Sequence, residues 1–121
     1  MSELRADTIT ASDGTSPVTL TGQYAAKAWV NFNGTSTVAI RESGGVSSIT
    51  DNGTGDYTVN FVTALSDANY AVSGSQGGGN HYPWRTYEDT QARTSSLFRA
   101  LMLNASFSAA DPPQVNFAVS R

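Results

Sequence analysis

The sequence predicts an all-β fold: a small antiparallel β-sandwich with an extended N-terminal arm. Apolar residues recur at every second position in several short runs, clusters of Gly, Asn, Asp and Pro separate those runs, and no helical i, i+3, i+4 stripe is sustained beyond two turns. Strands that return about every ten residues between turns fit a sandwich or barrel rather than β-α-β units, which need long crossovers.

In chain order, residues 1–22 read as the arm and residues 23–121 as the sandwich. The arm holds two short β-like pieces, 6–10 and 18–21, around the turn Asp13-Gly14-Thr15-Ser16-Pro17. Its few large side chains cannot offset the entropy of ordering about twenty residues, so it is expected to order against other copies or an adjoining protein. Strands then fit 28–32, 37–41 and 46–50, divided by Asn33-Gly34 and Gly44-Gly45.

Alternation is clearest at 57–61, where Tyr57, Val59 and Phe61 share one face and Thr58 and Asn60 the other. A hairpin through Asp51-Asn52-Gly53 joins this strand to 46–50. That turn accounts for Asp51, Asn52 and Asp56 better than a calcium loop does, because the loop spacing and its closing Glu are missing. A strand at 68–73 follows the turn at Ser66-Asp67. Residues 97–105 read as strand, with a short helix capped by Ser95-Ser96 as the alternative. After Asp111-Pro112-Pro113, Val115, Phe117 and Val119 alternate with Asn116, Ala118 and Ser120 in a last strand expected to be paired and buried.

Composition narrows the function. A chain of 121 residues fits one domain. Only 14% of residues are charged, against about 25% in an average domain. Hydroxyl and amide side chains therefore carry the surface, which suits packing against copies of the same chain. A net charge of -3 and the single lysine, Lys27, provide no basic patch for phosphates, so nucleic acid is not an expected partner. No apolar run reaches the roughly 20 residues of a membrane span, and the N-terminus lacks the layout of a signal peptide. Synthesis in the cytoplasm without membrane insertion is the expectation. The absence of cysteine removes disulfides, thiolate metal sites and thiol nucleophiles. Sequons at Asn33, Asn52 and Asn104 read as chance in a chain rich in Asn, Ser and Thr.

The best candidate site is the run 77–89, in which Asn80, His81, Tyr82, Trp84, Arg85, Tyr87 and Glu88 follow three glycines. Aromatic rings stack on the apolar face of a pyranose while amide, guanidinium and carboxylate groups hydrogen-bond its hydroxyls. Carbohydrate or receptor binding is one reading of this set. The other is that the rings fill the end of the sandwich or a subunit interface, where Trp, Tyr and Arg are also enriched. His81 is the single histidine, so no metal and no cofactor are expected. Glu42, Glu88 and Asp89 are the only pairable carboxylates for glycoside hydrolysis, in a domain with little room for a cleft. No Ser-His-Asp set is identifiable, and an enzyme is not expected.

The run Gln23-Tyr24-Ala25-Ala26-Lys27-Ala28-Trp29-Val30-Asn31-Phe32-Asn33-Gly34, followed by 37–41, resembles bacteriophage tail-fibre and related virion proteins of the marine and cyanobacterial phage type. Residues 46–61 and Ala68-Asn69-Tyr70-Ala71-Val72 resemble the same family, as does the lead segment Leu4-Arg5-Ala6-Asp7-Thr8-Ile9. The resemblance covers roughly residues 4–10 and 23–73; residues 74–121 share only the strand rhythm. It implies a homotrimeric virion appendage with a compact β-sandwich head and does not name the receptor; the arm at 1–22 is then expected to hold other virion proteins, and the run at 80–89 is the candidate for contact with host polysaccharide. A capsid decoration protein is the rival expectation.

Overall fold

The computed structural model describes residues 3, 5–15, 26–79, 81–89 and 91–121, with His81 and Tyr82 described by their backbone alone. Eight strands follow in the order β1 (Ala26–Asn33), β2 (Ala39–Gly44), β3 (Val46–Gly53), β4 (Asp56–Phe61), β5 (Ala71–Gly77), β6 (His81–Thr86), β7 (Leu97–Asn104) and β8 (Gln114–Ser120). They make two four-stranded antiparallel sheets, β2-β1-β8-β5 and β3-β4-β7-β6. The all-β class expected from the alternation is observed, and residues 97–104 are strand rather than helix.

Alternation explains which side chains lie between the sheets. β1 buries Ala28, Val30 and Phe32, and β8 buries Val115, Phe117 and Val119. From the opposite sheet, β4 contributes Tyr57, Val59 and Phe61, and β7 contributes Phe98, Ala100 and Met102. Rings from the two sheets meet edge to face, Phe32 on Tyr57 at 5.1 Å and Phe117 on Phe98 at 5.3 Å. Each fully buried side chain of this size contributes about 1.5–3 kcal/mol of transfer free energy. Phe117 sits at the centre, touching Phe32, Trp84 and Phe98.

Polar contacts clamp both ends of the stack. At one end the Tyr57 hydroxyl lies 3.0 Å from Gly34 O and 2.9 Å from Asp111 Oδ1, and Asp111 Oδ1 also accepts the Gly55 N–H at 2.6 Å. Three connections that belong to different sheets are joined there. Gly55 holds φ +68°, and a Cβ on it would stand 2.6 Å from Met102 O, so the turn admits only glycine without strain. At the other end the Tyr70 hydroxyl donates to Thr94 O or Leu97 O at 3.0 and 2.9 Å, and Arg93 Nη1 donates to Tyr70 O at 2.8 Å. Burial pushes the Tyr57 phenol well above its usual range and raises Tyr70 to about 12.

The structure departs from the expected strands in several places, and β3 runs on through Asp51-Asn52-Gly53, the residues expected to turn, so that Gly53 pairs with Asp56. The strand expected at 37–41 starts at Ala39, because Asn33 Oδ1 accepts hydrogen bonds from Thr35 N and Oγ1 and Ser36 takes φ 56°, which widens the loop. The strand expected at 68–73 starts at Ala71, since Asp67 Oδ1 caps a turn by accepting from Asn69 N at 2.8 Å. Residues 81–86, where no strand is expected from the sequence, are β6. Pro83 lacks a ladder donor, yet an edge strand with a shift in register between His81 and Trp84 tolerates it.

Residues 5–10 are exposed, Ile9 to 59% of its surface, and among the described residues the first core side chain is Ala28. The second β-like piece expected in the arm, 18–21, lies outside the described residues.

Candidate functional site

The candidate constellation at 80–89 is divided by the strand that carries most of it. In β6, Trp84 pairs opposite Met102 and faces inward, its ring 5.1 Å from Phe117 in an edge-to-face contact. Arg85 pairs opposite Leu101 and faces outward. Tyr87 continues the outward face, with its N–H donating to Arg99 O at 2.7 Å. Asn80 lies outside the described residues, and the backbone of His81 and Tyr82 opens β6. Of the seven residues singled out, Arg85 and Tyr87 are brought together on one face, and Trp84 is set apart as packing.

Glu88 is occupied by structure. Its carboxylate pairs with Arg93 Nη2 at 2.9 Å and accepts from Arg93 N at 3.1 Å, and the backbone bond comes first among the causes that hold its carboxyl below the usual range. The same Arg93 lies 5.1 Å over the Tyr70 ring, so Glu88 fixes the loop between β6 and β7. Glu42, on β2, belongs to the other sheet and does not pair with Glu88 or Asp89 across a cleft. Among the described residues no group of three or more His, Asp or Glu is placed to hold a metal ion.

The outward face of β3-β4-β7-β6 carries a connected row that includes Arg99, a residue not singled out in the sequence. Its guanidinium makes a two-point bond with Asp56, Nε to Oδ1 at 2.7 Å and Nη2 to Oδ2 at 2.6 Å, and lies 4.7 Å over the Tyr87 ring. Arg85 approaches that ring at 5.3 Å and Asp89 at 3.9 Å. On the far side Asn52 Nδ2 donates to Thr58 Oγ1 at 2.8 Å. The hydrogen bond from Arg99 is the main reason that the Asp56 carboxyl is held below the usual range. These charges are already paired with one another, which gives a rigid, self-satisfied surface.

A different arrangement occupies the outward face of β2-β1-β8-β5. Because Ala28, Val30 and Phe32 point into the core, Trp29 and Asn31 point out, and Trp29 keeps 42% of its surface exposed. Register places Gly44, Trp29, Ala118 and Ser73 in one row across the four strands and Glu42, Asn31, Asn116 and Ser75 in the next. The indole leans over Gly44, where a Cβ would collide with its Nε1. On its other side, between Trp29 and the edge strand β5, lies an open trough of about 440 Å³ bounded by Asn31, Asn116, Ala118 and Ser73. Asn31 Nδ2 donates to Asn116 Oδ1, and Asn116 Nδ2 donates to Ser75 Oγ at 3.1 Å, so a ladder of amides and a hydroxyl closes one end.

Comparison of the chain with protein-family models, with curated proteins and with solved structures found no match.

Proposed function

We propose that the chain is a non-catalytic subunit of a bacteriophage appendage, a fibre or fibre tip, which assembles as a homotrimer and meets saccharide on the host surface. The observation that carries the reading is the contrast between head and arm. Among the described residues the buried core lies within 28–119, whereas residues 5–10, ahead of it, lie exposed with Ile9 uncovered. Such a segment is ordered at small cost when another chain supplies the missing apolar surface, as happens in an assembled particle. The resemblance of residues 4–10 and 23–73 to phage fibre proteins supports the same setting, and the hydroxyl-rich, weakly charged composition suits contact between copies.

Three measurements test this. Its mass in solution is expected to be three times that of the monomer, and a version lacking residues 1–22 is expected to lose binding to the rest of the appendage while keeping its β spectrum. The intact protein, added in excess, is expected to slow phage adsorption to host cells. A monomer that neither competes for adsorption nor binds a virion protein contradicts the proposal; stabilisation of expanded capsids would establish a decoration protein in its place.

A further inference from the structure

We infer that the trough beside Trp29 is a binding site for one pyranose ring of a neutral saccharide. This deepens the host-contact part of the proposed function by naming a site, and its geometry stands independently of where in a virion the protein sits.

The walls match that chemistry. A pyranose has an apolar C–H face and a rim of hydroxyls that both donate and accept. The exposed indole provides the apolar surface. Ala118 and Ser73, the next residues in its row, are small and leave room above the sheet. The trough, about 440 Å³, is within the roughly 300–1,000 Å³ of small-molecule sites.

The rim of the site is ready to pair with hydroxyls. Asn31 and Asn116 hold each other's amides in place, and Ser75 fixes Asn116 from the far strand. Among the described residues this leaves Asn31 Oδ1 and one N–H of each amide without a protein partner, so both acceptor and donor capacity remain for a ligand. Groups locked by one another lose little freedom on binding.

Charge decides between neutral and acidic sugars. Among the described residues no charged side chain lines the trough, and Glu42, paired opposite Asn31, stands at the end of the ladder on the same face. A carboxylate-bearing sugar would give up hydration there with no cation to pair with, and a neutral one would not.

The test uses the full chain with ¹⁵N-labelled indoles, titrated with methyl α-glucopyranoside, methyl β-galactopyranoside, methyl α-mannopyranoside and, as the acidic comparison, methyl glucuronoside. Two indole N–H signals are available, and Trp84, packed on Phe117, serves as the internal reference. At least one neutral glycoside is expected to move the Trp29 signal saturably in the millimolar range with Trp84 still, and the glucuronoside to bind more weakly. Ala118→Gln, which fills the floor and leaves the indole, should remove the shift. Trp29→Ala should weaken saturation-transfer signals from the same glycoside at least about tenfold, with unchanged oligomer mass.

A flat response to all three neutral glycosides overturns the inference, as does a shift that survives Ala118→Gln. Trp29→Ala that breaks the oligomer overturns it too, since the ring is then an interface. Each of these results leaves the appendage reading standing, because that reading is judged by assembly and by position on the particle. A protein found off the virion that still binds the glycoside separates the two in the other direction.

Discussion

Replacing Tyr57 by Phe removes one oxygen from the clamp that joins the two sheets, and the structure sets the size of the effect. The ring is fully buried and remains in edge-to-face contact with Phe32, so packing is conserved. The single hydroxyl proton serves either Gly34 O or Asp111 Oδ1, and Asp111 Oδ1 keeps its second donor, the Gly55 N–H. The loss therefore lies between the net worth of one hydrogen bond, about 1 kcal/mol, and the cost of stranding a buried acceptor, up to about 3 kcal/mol. A core of this length converts each kcal/mol into about 4–8 °C of Tm. Urea unfolding should show a lower midpoint with the slope unchanged. A double-mutant cycle with Asp111→Ala should give a coupling of about 1 kcal/mol between the two side chains. A stability change below about 0.5 kcal/mol, or additive effects in the cycle, would refute the view that this hydroxyl clamps the sheets.

Other perturbations give equally definite outcomes. Gly55→Ala should cost about 2 kcal/mol or more in thermal unfolding, since φ +68° and a contact 2.6 Å from Met102 O oppose any Cβ. Trp84→Ala should lower stability by about 2–4 kcal/mol through its contact with Phe117, whereas Tyr87→Ala should cost about 1 kcal/mol, the worth of its stacking with Arg99 and Arg85. Asp56 has its folded pKa held below the unfolded value by Arg99. Its stabilising contribution is thus complete above the ordinary carboxylate pKa of about 3.9 and fades as pH falls through the lowered folded value. Asp56→Asn should remove that part of the acid dependence, read as a flatter plot of urea midpoint against pH between about 5 and 2.

Much of the core was legible from alternation alone. Tyr57, Val59 and Phe61, and Val115, Phe117 and Val119, face inward as their period-two spacing requires. Trp29 was legible by the same rule, because a strand that buries Ala28, Val30 and Phe32 has to expose its tryptophan. The aromatic run at 81–87 is the richer signal in the sequence, and only the fold shows that its Trp84 is packing. β6 is not legible in the sequence because Pro83 and the preceding glycines resemble a loop, and its edge position is a property of the whole sheet. The Arg99–Asp56 pair and the Tyr57–Asp111 clamp join residues 43 and 54 positions apart, so they follow only once strand order and register are known.

The most direct test of the appendage account is to find the protein on the particle. Antibody raised against residues 26–121 and labelled with gold, applied to intact virions, is expected to mark the tail or fibres at threefold-related positions. Label spread over the capsid shell, or absent from purified virions, would contradict it.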